Sequence, residues 1–193
     1  MGQVIAVVSG KGGTGKTSFT ALVGSALAEM GHRTLCLDCD VGLRNLDISL
    51  GLTEGAALSF LDVAGGNYPL SSAARHPKYP DLCFLTAPMN CPVERIDIES
   101  FRAMLRQARR EFDFILLDAP AGVDAGFRLV CAAADRFLLV TGFGPASVRD
   151  AARVGELLEL QGKKDVRLIV NRVDREMLST VRTTIDDVMD NAG

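Results

Sequence analysis

"SGKGGTGKTS", residues 9–18, lies between two segments of opposite character, and that setting decides the fold. Before it runs "QVIAVV" (3–8), an almost unbroken apolar stretch of strand length. After it runs "KTSFTALVGSALAEMG" (16–31), spaced as a helix that stops at Gly31. Gly10-x-x-x-x-Gly15-Lys16-Thr17, set between a strand and a helix, has the form of a phosphate-binding loop. Its glycines let backbone N–H groups turn toward phosphate oxygens, and the helix N-terminus adds favourable electrostatics. Lys16 is spaced to reach β- and γ-phosphates, and the Thr17 hydroxyl to bind Mg²⁺. Gly12, Gly13, Thr14 and Ser18 complete the nucleotide cradle. Lys11 stands at the other end of the loop, and simple ATP binding leaves it without a task.

The rest of the chain repeats the strand-then-helix alternation. Strands are expected at 33–39, 81–87, 113–119, 136–142 and 166–172, and helices at 97–111, 125–134, 147–161 and 179–193. Near-continuous apolar strands separated by helices specify a mostly parallel central sheet with helices on both faces. The fold class is α/β, a P-loop NTPase, and residues 1–193 read as one domain. In the first helix Phe19, Leu22, Val23, Ala26, Leu27 and Met30 are expected to face the core. Residues 62–80 read as a surface excursion rich in loop residues. A final helix with no strand after it makes the chain read as stopping short of a further strand.

Composition narrows the function classes. The chain is 48% hydrophobic and 23% charged, too apolar for a disordered protein. Aromatic residues make up 6% with no Trp, which argues against a base-stacking surface for single-stranded nucleic acid. A net charge of −3 argues against a large DNA-binding face, so no nucleic-acid partner is expected. Arg102, Arg106, Arg109 and Arg110 share one helical segment and read as a solvated face. Cys36 and Cys39 form one C-x-x-C inside a strand, where i and i+3 point to opposite sides. Unpaired thiols of this kind fit a reducing, cytoplasmic setting. The N-terminus runs straight into a strand, so no signal peptide is expected. Ala6 stands where a myristoylation signal after Gly2 needs Ser or Thr.

Strand ends carry the other candidate groups. "LCLDCD" (35–40) puts Asp38 and Asp40 at the carboxyl end of the second strand, and "FILLDAPAG" (114–122) puts Asp118 at the end of another. Ligands of open α/β sheets bind at those ends, so these carboxylates converge on the phosphate loop. Asp118 is the candidate Mg²⁺ partner through water, and Asp40 the candidate for orienting an attacking water. Gly122 allows its loop to approach a γ-phosphate. Asn171, in "LIVNRVD" (168–174), is the candidate for the purine edge. Asn171 to Asp174 also resembles a guanine-reading motif with Arg172 in its lysine position, so GTP stays open beside the preferred ATP.

"KGGTGKT" with its early lysine resembles the deviant Walker A motif of the family of MinD, ParA, nitrogenase iron protein and related ATPases. "DCDVGLRNLD" (38–47) is very like the first switch segment of the MinD branch, "DAPAG" (118–122) its second, and "ASVRDAARV" (146–154) the start of one of its helices. "GLRNLD" is the most specific piece, and the resemblance runs across nearly the whole chain. It implies a homodimer in which two monomers sandwich ATP and Lys11 reaches the partner's phosphates, like an arginine finger. It implies Lys11, Lys16 and Asp40 as the catalytic set, with Mg²⁺ at Thr17 and Asp118. It further implies a spatial regulator of the division septum, peripheral on the inner face of the cell membrane when ATP-bound. A MinC-like inhibitor and a MinE-like activator would be its partners. Relatives of that branch add a strand and an amphipathic membrane-binding helix beyond this length. A flagellar-number or ParA-type partition ATPase is the alternative. An iron–sulfur carrier using Cys36, Cys39 and Cys131, and a small-molecule kinase, are more distant ones.

Overall fold

Both faces of the sheet are covered, which is why its inner strands are apolar at nearly every position. A computed structural model describes residues 1–41, 43–52, 57–89, 91–174 and 184–192. Its strands are β1 (Gln3–Val8), β2 (Thr34–Asp38), β3 (Ala74–Arg75), β4 (Leu82–Leu85), β5 (Phe114–Asp118), β6 (Arg136–Gly142) and β7 (Val166–Asn171). They lie in the order β3-β4-β2-β5-β1-β6-β7, all parallel except the β3–β4 pair. Every residue of β2 and β4 is buried. Alternate residues serve opposite faces: Leu35 and Leu37 enter one core, and Cys36 enters the other.

The helices are α1 (Lys16–Glu29), α2 (Leu46–Ser49), α3 (Phe60–Ala64), α4 (Ile98–Glu111), α5 (Ala125–Ala133), α6 (Pro145–Leu160) and α7 (Ile185–Ala192). Their division between faces follows from handedness. A parallel crossover is almost always right-handed, so its direction along the sheet selects its face. From β1 the chain steps over β5 to β2, and α1 lies on one face with α2. From β4 to β5, β5 to β6 and β6 to β7 it moves the other way, and α4, α5 and α6 lie on the opposite face. The reversal at β1 opens a crevice at the carboxyl ends of the strands, and the phosphate loop sits in it.

The helix expected from "KTSFTALVGSALAEMG" forms, but its inner face differs from the expected one. Thr20, Ala21, Gly24 and Ala28 are buried, while Leu22 is 70% and Met30 72% exposed. The larger side chains Phe19, Val23 and Leu27 flank the contact only half-buried, and Ala26 faces solvent. Close approach to the sheet explains the reversal. A β-carbon on Gly24 would stand 2.5 Å from Cys36 Sγ and 3.5 Å from Leu116 Cδ1. Small residues are needed where the helix axis lies that near the strands.

The stretch 62–80 is more ordered than expected. Ser59 and Asp62 close a capping box at the start of α3, Leu70 is buried, and β3 adds an antiparallel edge. Of the helix expected over 179–193, residues 185–192 form α7, whose Val188 and Ala192 pack into the core beside α6 and β7. Residues 179–183 lie outside the described residues. The four arginines of α4 do not make one solvated face. Arg102 donates to Ala132 O at 3.1 and 2.9 Å, and Arg109 pairs with Asp135 at 2.8 Å. Two of the four therefore pin α4 to the end of α5 and the start of β6.

Gly24→Val is expected to cost about 1–3 kcal/mol in urea unfolding, because Cys36 is a short buried side chain with nowhere to retreat. Leu22→Ala is expected to change stability by less than about 0.5 kcal/mol.

Candidate nucleotide site

The loop between β1 and α1 takes its shape from three neighbours. Gly13 and Gly15 have φ of +76° and +95°, left-handed values that side chains rarely adopt. A β-carbon on Gly10 would run into the backbone carbonyl of Asp150, so the loop is pressed against α6. Asn171, at the end of β7, donates from Nδ2 to Thr14 O at 2.9 Å and fills the space where a side chain on Gly15 would stand. Gly122, with φ of +87°, donates its N–H to Ser9 O at 3.1 Å, and Ser9 Oγ donates to Lys11 O at 2.7 Å.

At the mouth of α1 the expected charged groups meet. Lys16 is buried, which pushes its pKa down, while Asp118 and Asp40 pull it back up. Asp118 is 1% exposed, and burial pushes its carboxyl up to about 7. The hydroxyls of Thr17 and Thr20 and the Lys16 ammonium work against that rise, and the charge of Asp38 adds to it. Thr20 Oγ1 lies 3.2 Å from Asp118 Oδ1 and 3.0 Å from Lys16 O. Asp40 is half-buried, raised by its burial and lowered by Lys16. The site thus brings one ammonium into the field of two carboxylates, two hydroxyls onto one of them, and a glycine loop beside them.

These residues fit a magnesium–nucleotide. Thr14 Oγ1 is buried without a hydrogen-bond partner, a vacant polar contact in the loop itself. Asp118, strained toward its neutral form by burial, gains from a cation placed beside Thr17. Lys11 is exposed and lines a cavity of about 260 Å³ with Gly12, Gly13, Thr14, Phe143 and Arg172. Ser18 is exposed on the first turn of α1.

Two candidate nucleotide contacts already bond the phosphate loop or its flank. Asn171 spends an amide hydrogen on the phosphate loop, and Gly122 spends its N–H on Ser9. Both act in this state as braces of the loop. Two residues left without a task by the sequence gain one: Thr20, one turn after Lys16, which bonds Asp118, and Asp150, whose carbonyl packs against Gly10. Of the two, Thr20 carried a sequence signal, its i+4 spacing from Lys16. Asp38, expected to converge on the phosphate loop, instead accepts from the backbone N–H groups of Asp40, Asn45 and Leu46. Cys36 and Cys39 are buried on opposite faces of the sheet, and Cys131 is buried in α5 with its thiol pushed up to about 12. That separation does not suit a shared cluster.

Residues 5–191 match the family model for the CobQ/CobB/MinD/ParA nucleotide binding domain. The chain belongs to this family. It is 38% identical over 192 residues to the septum site-determining protein MinD of Synechocystis, covering 98% of this chain and 72% of that protein. A Thermotoga maritima MinD is also 38% identical, over 97% of this chain and 71% of its own length. Among solved structures, the MinC:MinD cell division protein complex of Aquifex aeolicus superposes with a TM-score of 0.88 at 37% identity, covering 97% of this chain and 76% of that one. MinD from Pyrococcus horikoshii, complexed with Mg-ADP, gives a TM-score of 0.83 at 28% identity, over 99% of this chain and 77% of its own. A ParA family ATPase from Chlorobium tepidum, at 22% identity, shares the fold. Within the family the chain is therefore a homologue of the septum site-determining proteins, with a nucleotide-hydrolase fold.

The raised Asp118 carboxyl makes a stability prediction. Its ordinary value is 3.8, so between there and about 7 the folded state binds more protons than the unfolded one. Stability from this group therefore falls as pH rises through that window and stays reduced above it. Asp118→Asn is expected to raise the melting temperature of the nucleotide-free protein by a few degrees at about pH 8, and by less at about pH 5. Calorimetry at both pH values measures the difference.

Proposed function

We propose that this protein is an ATP-dependent dimerising switch that hydrolyses ATP to ADP and so regulates where the division septum forms. The observation that carries the reading is the meeting of Lys16, Thr17, Asp40 and Asp118 at the phosphate loop, with Lys11 left exposed at the loop's rim. In this proposal the loop from Gly10 to Thr17, with Ser18, holds the molecule's own nucleotide. Lys16 offers its ammonium to the β- and γ-phosphate oxygens, exchanging two carboxylate neighbours for stronger anions. Thr17 and, through water, Asp118 would hold Mg²⁺. When bound, that ion would supply positive charge to offset the negative charge that develops on the phosphates. Asp40 would orient the attacking water, and its half-buried position near the charge of Lys16 supports that role.

Lys11 is proposed to act across a dimer. Its side chain is not drawn into its own loop, and a second copy facing the same crevice brings another nucleotide to it. An ammonium delivered in this way stabilises charge on the partner's phosphates and makes hydrolysis depend on association. Asn171, freed from Thr14, is proposed to contact adenine. By similarity to the Aquifex complex, a MinC-like protein is a partner of the ATP-bound dimer. A MinE-like activator and reversible attachment to the inner membrane surface complete the proposal. None of the helices in the described residues is long and apolar enough to cross a membrane. Two weak surface anchors brought together by dimerisation would make such attachment follow the nucleotide state.

Lys11→Ala is expected to bind ATP within about tenfold of the parent yet stay monomeric by light scattering with Mg-ATP. Lys16→Ala is expected to lose about 100-fold or more in nucleotide affinity, since it removes a charge-assisted contact to phosphate. Normal dimerisation of Lys11→Ala at saturating ATP would refute the proposed task of the first lysine.

A further inference from the structure

Asp38 is a buried carboxylate with no cation beside it among the described contacts, and it touches neither the phosphate loop nor Thr17. It is 1% exposed. Its two oxygens instead divide three backbone donors between them. Oδ1 accepts from Asp40 N at 2.9 Å, and Oδ2 accepts from Asn45 N and Leu46 N, both at 3.1 Å. One side chain thus holds both ends of the turn that leaves β2 and enters α2. Leu46 begins α2, whose preceding Asn45 makes no side-chain cap, so Asp38 supplies that cap from a distance.

The turn so held is not relaxed. Arg44 has a φ of +25°, a value that non-glycine residues avoid and keep only where surrounding contacts over-determine it. Leu43 and Arg44 both direct their N–H groups at Asp40 O, at 3.3 and 3.4 Å. Both bonds end on the backbone carbonyl of Asp40, so the strained turn is tied to that residue. The base of the clamp is rigid: Asp38 lies in register with Asp118 across the β2–β5 pair, and Cys39 N donates to Asp118 O at 3.0 Å.

We infer that Asp38 is a positioning residue for hydrolysis, fixing the Asp40 backbone and the strained turn at Arg44 so that the Asp40 carboxylate stays beside Lys16. This rests on the proposal that Asp40 orients the attacking water. An amide at position 38 keeps the volume but offers one acceptor oxygen in place of two, and its NH₂ faces a backbone N–H at one end of the clamp. Asp40 then samples positions away from the site while the phosphate loop, held by separate contacts, keeps its shape.

The test uses the intact protein, with single-turnover ATP hydrolysis, nucleotide affinity and amide exchange. Asp38→Asn is expected to lower the hydrolysis rate about tenfold or more, with KM and ADP affinity within about threefold of the parent. Exchange at the Asn45 and Leu46 amides is expected to accelerate. A merely structural role would instead lower the melting temperature and weaken nucleotide binding while leaving the rate of the folded fraction unchanged, and that result overturns the inference. The double variant with Asp40→Asn is expected to be no slower than Asp40→Asn alone, and multiplied losses overturn it as well. If Asp40→Asn hydrolyses ATP at the parental rate, the Asp40 assignment and this inference both fall. If Asp40→Asn is inactive and Asp38→Asn is not slowed, only this inference falls. Should the amide variant not fold, Asp38→Glu keeps the charge but moves it by one methylene. The same rate loss at constant KM is expected, and a parental rate overturns the inference.

Discussion

The burial of Lys16 in the field of two carboxylates, Asp118 and Asp40, is the constraint on which the site depends. Burial lowers the pKa of Lys16 at the mouth of α1 while Asp118 and Asp40 raise it, and Asp118 is itself pushed toward its neutral form by burial. Charges removed from water are costly unless they are paired. A phosphate and a cation, as proposed for this site, would offset that cost. The arrangement explains why three strands must end within reach of one loop. β1 carries the loop, β5 delivers Asp118 and β2 delivers the segment containing Asp38 and Asp40. The order β2-β5-β1 places these three ends side by side.

That order also connects local rules to the site. The reversal of direction at β1 assigns α1 to one face and α4 to α6 to the other, and leaves the crevice where the loop lies. The loop is then braced from outside its own sequence: by Asp150 of α6 against Gly10, by Asn171 of β7 on Thr14, and by Gly122 on Ser9. Each brace comes from a different segment, and two come from segments that also carry candidate nucleotide contacts. The loop is thus in direct contact with the ends of β5 and β7 and with α6.

The elements themselves were largely legible, because strand-length apolar runs and helix-length periodic runs differ in ways that burial demands. The exceptions have physical causes. α1 is apolar around much of its circumference, so periodicity could not choose a face. The choice fell to closeness of packing, which admits Gly24, Ala21 and Ala28 and turns Leu22 and Met30 outward. α2, α3 and β3 are four, five and two residues long, too short to establish a period. The apparent arginine face of α4 dissolved because Arg102 and Arg109 find a carbonyl and a carboxylate on distant segments.

By itself the sequence determined the phosphate loop, the helix that opens behind it, the parallel α/β class and the carboxylates at the strand ends. These are local properties, set by glycine spacing, apolar periodicity and the chemistry of phosphate and Mg²⁺. Only the tertiary structure decided which groups share a charge, which amides are already spent and what Asp38 holds. Asn171 and Thr14 are 157 residues apart along the chain, and Asp118 is 98 from Thr20. No local pattern encodes such a distance. It arises when the strand order brings their ends together and burial forces every polar group there to find a partner.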